Sequence, residues 1–385
     1  MTRLDLAAAA ALSEISAAGR LRRRQVVTPL NPTEAMVDGR RTTLFSSNDY
    51  LGLSGHPEVR AAAAEVALRL GCGPRGSALV CGYSDDHRAL EEDLAGLVGS
   101  EAALVFPTGF AANSAVLASL GAFAPTIFSD ELNHASLIEG CRLSRARVRV
   151  YRHVDLNDLE ELLRKTDAGP RVVVTETVFS MDGDLAPLRE LAALKARHDF
   201  ALVVDEAHAL LVLGAEGGGL ACRENVRDAV DICVGTLSKA VGAQGGFAAA
   251  SHDVCEWLLN VARSYIFSTG LPLPVVAAAR AALAVARRDD ALRAALWQRA
   301  EQLAGRLGGA PAQSAIFPLR LGDERRALAA SRELLSAGVH VTAMRPPTVP
   351  AGTSRLRITV NAAHTAADID RLGDAIAGLG LSGGA

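Results

Sequence analysis

Between residues 42 and 270, short runs of valine, isoleucine, leucine and alanine alternate with longer stretches of helical periodicity, and this alternation limits the fold more than any other feature. The apolar runs fall at 42–46, 102–106, 126–129, 147–151, 172–175, 201–204, 232–236 and 246–250. Helical patterns lie between them at 57–70, 87–98, 109–120, 156–163 and 185–198. Short strands that are mostly apolar are buried on both faces, and helical crossovers between them impose parallel pairing. The expectation is an α/β fold: a mostly parallel seven-stranded sheet covered by helices on both faces. After Pro272 and Pro274 the pattern changes to two long helical blocks, 275–287 and 291–307, followed by short strands at 315–319, 340–342 and 356–360. Three regions are therefore expected: a helical arm over 1–45, with its helix at 4–24, a large domain over 46–272, and a small α+β domain over 273–385. Residues 382–385 read as a frayed tail.

At 385 residues, 49% of them hydrophobic, the chain can bury a large core. Its formal net charge is −3, and its one dense basic cluster, Arg20–Arg24, reads as a solvated helix end. No basic block carries interleaved aromatics, which argues against a nucleic-acid surface. The six cysteines form no C-x-x-C pair and no cluster with histidine, so reduced structural thiols in a cytoplasmic protein are expected rather than disulfides or a metal site. Residues 6–12 are apolar but too few to span a bilayer, and no basic segment leads them; an amphipathic helix fits, and no membrane association is expected.

Only three of the 40 basic residues are lysine: Lys165, Lys195 and Lys239. The first two lie on charged helix faces. Lys239 lies in Asp231-Ile-Cys-Val-Gly-Thr-Leu-Ser-Lys-Ala-Val-Gly-Ala-Gln-Gly-Gly246, which is apolar and glycine-rich with no acid nearby in sequence. An ammonium that loses hydration there loses basicity, and the resulting neutral amine suits a Schiff base.

Other reactive groups gather where strands end, the place at which open parallel sheets bind ligands. Asp205-Glu-Ala-His208 closes one strand, and its carboxylate can hold a protonated ring nitrogen while His208 reaches a phenolic oxygen. The same four letters occur in helicases, but those need a Walker lysine, and no Gly-Lys dipeptide exists here. Phe106-Pro-Thr-Gly-Phe-Ala-Ala-Asn113 passes from strand to helix through glycine, offering amides at Gly109 and Phe110 to a phosphate. His134 follows another strand in Ser129-Asp-Glu-Leu-Asn-His134, and Ser180 follows a fourth in the run from Val172 to Asp184. Gly71-Cys-Gly-Pro-Arg-Gly76 satisfies the dinucleotide fingerprint letter by letter. A helical stretch precedes it, however, where that fingerprint needs a strand. Thr236-Leu-Ser-Lys239 resembles a serine-nucleophile box but lacks the first serine and the companion boxes. A lysine amine, a strand-end aspartate, a nearby histidine and a phosphate turn together describe a pyridoxal 5'-phosphate site.

The chain resembles the α-oxoamine synthases, pyridoxal-phosphate acyltransferases of the aspartate-aminotransferase fold (fold type I). The resemblance is carried by Ser47-Asn-Asp-Tyr-Leu-Gly-Leu53, Gly82-Tyr-Ser84, Ser180-Met-Asp-Gly-Asp184, Asp205-Glu-Ala-His208, Thr236-Leu-Ser-Lys239 and Arg345-Pro-Pro-Thr-Val-Pro-Ala-Gly-Thr353. The last run is similar to the branch that serves biotin biosynthesis. Ala209, where glycine is usual, and Ala78, where many relatives carry arginine, depart from the pattern.

The resemblance implies that Lys239 binds the cofactor, Asp205 pairs with its ring nitrogen, His208 bonds its phenolic oxygen and His134 stacks on its face. Gly109, Phe110 and Thr236 would lie at the phosphate side and Ser180 near the ring. Asn48 and Arg357, with Arg355 as rival, would hold an amino-acid carboxylate, and Arg22 and Thr348 the substrate side. Ser268 and Thr269 would reach the phosphate of a partner subunit in a homodimer. The implied reaction is decarboxylative condensation of L-alanine with a pimeloyl thioester, carried by CoA or an acyl carrier protein. Lys239 would remove the α-proton and His134 would assist at the carbonyl. Sister members of the family use glycine with succinyl-CoA or acetyl-CoA, and an NAD-dependent oxidoreductase is a distant alternative.

Overall fold

The computed structural model describes residues 1–123, 126–166 and 169–381, so the tail at 382–385 lies outside the described residues. Helix α1 (Arg3–Ala17) opens the chain and is followed by strands β1 (Val27–Asn31), β2 (Glu34–Val37) and β3 (Arg40–Leu44), then helices α2 (Pro57–Leu70) and α3 (Asp85–Val98). The central region continues as β4 (Ala102–Phe106), α4 (Gly109–Leu120), β5 (Thr126–Asp130), α5 (Ala135–Ser144), β6 (Arg147–Tyr151), α6 (Leu156–Arg164), β7 (Arg171–Glu176), α7 (Leu188–His198), β8 (Ala201–Asp205), α8 (Leu220–Arg223), β9 (Ile232–Thr236) and β10 (Gly246–Ala250). Helices α9 (His252–Val261), α10 (Arg263–Ile266), α11 (Leu273–Arg288) and α12 (Asp290–Leu307) follow. The chain closes with β11 (Ile316–Gly322), α13 (Glu324–Ser336), β12 (Val339–His340), β13 (Thr342–Met344), β14 (Ser354–Thr359) and α14 (Ala366–Gly378).

The expected sheet is present, with seven strands in the order β4-β10-β9-β8-β7-β5-β6. Strands β5 to β9 pair in parallel, and β10 alone runs against its neighbours β4 and β9. Side chains of one strand alternate between faces, and the core follows that period. Val173, Leu202 and Val204 pack into one apolar cluster, whereas Val172, Val174 and Val203 pack into another. Burial on both faces explains why these strands read as apolar runs. Strand β6 is the exception: it forms an edge, and Arg147 and Arg149 there discourage pairing with another chain.

Two expectations are corrected. The region 1–45 is not a helical arm throughout. Its helix ends at Ala17, two residues before the left-handed Gly19 (φ 68°), and β1 to β3 form a sheet that β12 joins in parallel at Thr43↔Val339. Helices α5, α8, α9, α10, α13 and α14 also stand where no helix was expected. Gly71–Gly76 follows helix α2, as its sequence context requires.

The last three-stranded sheet, β11-β14-β13, is antiparallel. All six residues of β14 are buried, including Arg355 and Arg357. Two residues apart on one strand, both project from the same face. All six cysteines are free, with Cys141, Cys233 and Cys255 buried. Among the described residues no helix is long and apolar enough to cross a membrane.

Gly246 opens β10 opposite Phe106 of β4 and Thr236 of β9. A Cβ there would lie 2.5 Å from the backbone of Gly109, so the start of α4 can settle on the sheet only over a bare backbone. Gly246→Ala is expected to cost about 1–3 kcal/mol through overpacking and to push α4 outward. Thermal melts together with cofactor titration check this, and an unchanged melting temperature with full cofactor affinity would contradict it.

Candidate active site

The carboxyl ends of β4, β7, β8 and β9 converge with β14 on one group of side chains. Asp205 is the last residue of β8 and is buried. Its Oδ1 accepts from the Ala207 amide at 2.8 Å and its Oδ2 from Asn113 Nδ2 at 2.7 Å. Asn113 also donates to Ser136 Oγ at 2.9 Å, and that hydroxyl lies 2.8 Å from His134 Nδ1. A hydrogen-bonded chain thus runs from Asp205 to His134 through two buried side chains on α4 and α5. His134 is the N-cap of α5, where its ring accepts from the Ser136 amide. Desolvation lowers its pKa, more weakly than at a fully enclosed ring because the residue is exposed.

His208 is buried, with Nδ1 2.6 Å from the hydroxyl of Tyr50. Burial pushes its pKa well below the usual range, and the charges of Lys239 and Arg357 add to the effect. The ring is therefore neutral near pH 7.

Lys239 follows β9 and is partly buried. Loss of hydration pulls its amine down to about 8, against the opposing carboxylates of Asp205 and Glu176 and together with the Arg357 charge. Lys239, with no acid near it in sequence, thus receives two from neighbouring strands. Glu176 ends β7 with its carboxyl buried, and burial followed by the Asp205 charge raises its pKa well above the ordinary carboxylate range.

Thr108 caps α4 by accepting from the Ala111 amide at 3.0 Å. The amides of Gly109 and Phe110 precede any intrahelical acceptor and face outward from the helix start. A Cβ on Gly109 would meet Thr236 Cβ at 3.1 Å and Oγ1 at 3.2 Å, so glycine lets these amides close on the Thr236 hydroxyl. Ser238 Oγ joins that hydroxyl at 2.8 Å. This cradle of unpaired amides and hydroxyls at a helix N-terminus fits a phosphate. With the strand-end carboxylate of Asp205 and the desolvated amine of Lys239, the residues present fit pyridoxal phosphate.

The two arginines of β14 have different partners. Arg355 forms a buried ion pair with Asp182, which Arg320 joins from outside at 2.8 Å. Arg357 has no acidic partner among the described residues. Its Nε donates to the Ser180 carbonyl at 2.5 Å and its Nη1 to Asn48 Oδ1 at 3.1 Å. Its charge is thus available to an incoming anion. Ser180 is buried, and its amide donates to Glu176 Oε2 at 3.2 Å. Arg22 and Thr348 line one cleft of about 310 Å³ beside Arg345 and His340. Thr348 also borders a second cleft of about 520 Å³, floored by Phe179, Met181 and Asp182. Phe110 is exposed, and Thr269 bridges to Ser77 beside Ser268.

Sequence reasoning missed Tyr50, Asn113, Ser136 and Glu176 as site residues. Tyr50, Asn113 and Glu176 lie inside the motifs quoted for other members. Glu176 carried one usable signal, an acid closing an apolar strand in the same way as Asp205. Ala209 is fully buried and has no left-handed backbone, so alanine fits where glycine is usual.

These features define a pyridoxal-phosphate site on a fold type I sheet. Residues 40–376 match the family model for aminotransferase class I and II. An 8-amino-7-oxononanoate synthase of Burkholderia thailandensis is 48% identical over 372 residues, covering 94% of each chain. A solved serine palmitoyltransferase of Sphingomonas wittichii superposes with a TM-score of 0.92 at 34% identity, covering 99% of both chains. Another serine palmitoyltransferase, solved with pyridoxal phosphate, superposes equally well at 32% identity, covering 99% of this chain and 100% of its own. The chain belongs to the aminotransferase class I and II family, in its α-oxoamine synthase branch, and is a pyridoxal-phosphate-dependent acyltransferase.

The loop that carries Ser180 is tied down by His153. That imidazole lies 2.9 Å from Asp130 Oδ1 and 2.7 Å from Asp184 Oδ2, with its ring edge-on to Phe179 at 4.4 Å. Burial lowers its basicity, but the two aspartates more than reverse this and hold its pKa up to about 10. A pKa raised above the unfolded value contributes stability that is complete below about pH 6.5 and is lost as pH rises through about 10. Unfolding free energy should therefore fall between those limits. His153→Gln should remove that pH-dependent part and cost roughly 1–3 kcal/mol at pH 6. Denaturant titrations at several pH values check this, and an unchanged slope in the variant would refute it.

Proposed function

We propose that this enzyme condenses L-alanine with a pimeloyl thioester, with loss of carbon dioxide and free thiol, to form 8-amino-7-oxononanoate for biotin biosynthesis. Identity of 48% over nearly the whole length of a synthase of that name supports this reading of the substrates. The structural observation that carries the chemistry is one amine, Lys239, kept near neutrality between carboxyls on adjoining strands.

When bound, pyridoxal phosphate supplies an electron sink for negative charge developing at the amino-acid α-carbon. Asp205, with a donor on each oxygen, would pair with the ring nitrogen. His208, fixed by Tyr50, presents its remaining nitrogen to the phenolic oxygen. Gly109, Phe110 and Thr236 hold the phosphate, with Ser180 near the ring. Arg357, placed by Asn48 and the Ser180 carbonyl, takes the alanine carboxylate. Lys239 as free amine takes the α-proton, for which a pKa near the working pH is the favourable value. His134, at the exposed rim, assists at the thioester carbonyl, and Arg22 and Thr348 receive the acyl side.

Our reading places the enzyme in the cytoplasm as a homodimer. Leu79, Val80, Phe110 and Phe267 expose large apolar side chains around the cofactor turn, beside Ser268 and Thr269, which would serve the partner's phosphate. Light scattering should give twice the 40.1 kDa chain mass.

Three measurements test the assignment. Mass identification of product from alanine and pimeloyl-CoA should show 8-amino-7-oxononanoate; product only from glycine with succinyl- or acetyl-CoA would overturn it. Lys239→Ala should lose both borohydride-fixed cofactor and turnover. Arg357→Ala should raise KM for alanine at least about thirtyfold, from roughly 2 kcal/mol of lost charge pairing, with little change in melting temperature. Arg355→Ala should instead destabilise the fold, because it leaves the Asp182 carboxylate with only the exposed Arg320 as partner. The reverse pattern would assign the carboxylate to Arg355.

A further inference from the structure

The ends of β7 and β8 place two carboxyl groups side by side. Glu176 and Asp205 are register partners on parallel strands, so their side chains leave the sheet on the same face, and both are buried. Their surroundings differ. Asp205 has a donor on each oxygen, Asn113 and the Ala207 amide. Glu176 has the Ser180 amide on Oε2, while Oε1 is buried without any hydrogen-bond partner. Two neighbouring carboxylates in a desolvated site do not both ionise cheaply, and the better-solvated one keeps the charge. Asp205 is that one.

The other ionisable groups facing this pair come from separate elements. Lys239 approaches from beyond β9 and is attracted by both carboxyls, while Arg357 acts on it from β14. At the start of α5, the His134 ring faces Asp205 and Lys239. His208 and Tyr50 are engaged with each other. The next acid along β8, Glu206, is turned away and satisfied by Thr177 and by the Leu220 and Ala221 amides at 2.7–2.9 Å. Glu176 Oε1 is the one buried carboxyl oxygen of this cluster that holds no hydrogen bond among the described residues.

We propose that Glu176 is the resident proton acceptor for Lys239. The Nζ–H bond breaks, its electron pair stays on nitrogen, and the proton passes to Oε1 across bridging water. The pair changes from ammonium and carboxylate to amine and carboxylic acid, with no change in net charge. Asp205, with both oxygens already bonded, takes no part in this transfer and is left for the cofactor ring. Lys239 can thus be freed of its proton without exchange with bulk solvent, and Glu176 can return that proton later in the cycle. Glu176 acts through Lys239 and is a positioning residue for the proton. This rests on Lys239 being the cofactor amine, but not on the identity of the acyl substrate.

The three-lysine composition makes the test direct. Full-length protein labelled with 13Cε-lysine and freed of cofactor shows three lysine signals, assigned by Lys165→Arg and Lys195→Arg. Glu176→Gln keeps the shape but cannot accept a proton. It should lower the Lys239 midpoint by at least one pH unit, and Glu176→Asp should recover most of that change. In the loaded enzyme, Glu176→Gln should lower kcat about tenfold or more with KM for alanine nearly constant. An unmoved Lys239 midpoint in Glu176→Gln overturns the proposal, even where wild-type product formation upholds the reaction. Should Glu176→Gln not fold, the carboxyl signal of 13Cδ-glutamate in Lys239→Met decides. A Glu176 midpoint that rises once the cation is gone supports the coupling, and one that stays in place overturns it.

Discussion

Desolvation of a single ammonium group organises this molecule. A charged amine at Lys239 is held against its loss of hydration only by carboxyls brought from two other strands, and the nearby Arg357 charge works against it. The balance leaves the amine poised between protonation states, which depends on those strands keeping register. Slippage of β8 past β7 by one residue would turn Asp205 to the other face and leave Glu176 alone beneath the lysine. Apolar packing on both faces of the sheet is therefore also what fixes the electrostatics of the site.

Around that amine, most polar groups are committed before any ligand arrives. Asn113 and Ser136 connect Asp205 to His134, and Tyr50 takes one nitrogen of His208. Asp182 occupies Arg355 and leaves Arg357 uncommitted by any acid. Such prior pairing sets which groups remain open: one guanidinium, one imidazole nitrogen, a row of helix amides and one amine. Preorganised groups of this kind need no rearrangement when charge develops.

Much of the sheet was legible in the sequence because burial on both faces removes polar residues from its strands. Strands β4, β6, β9 and β10 have the bounds their apolar runs suggest. The N-terminal sheet was less visible: every residue of β1 is exposed, so no burial period marks it. Helix α5 was missed because Gly140 interrupts it. That glycine is a packing feature, since a Cβ there would meet Leu117 Cβ at 2.9 Å. Lys239, Asp205 and the Gly109 turn were legible because each breaks a local rule: a lone lysine among apolar residues, an acid closing a strand, a glycine opening a helix. Asn113 breaks no such rule, and Glu176, though it too closes an apolar strand, stands out only beside Asp205. Their roles arise from register and from contacts between segments far apart in the chain, as does the choice between Arg355 and Arg357, which is decided by Asp182, 173 residues away from Arg355.

The scarcity of lysine has a consequence for how the holoenzyme assembles. Lys165 is tied to Glu161 and Lys195 to Asp231, whereas Lys239 is the lysine whose amine burial makes less basic. A free carbonyl compound diffusing onto the folded chain meets one lysine of lowered basicity, already placed beside the helix amides that would catch its phosphate. Cofactor insertion needs no escort to find its address.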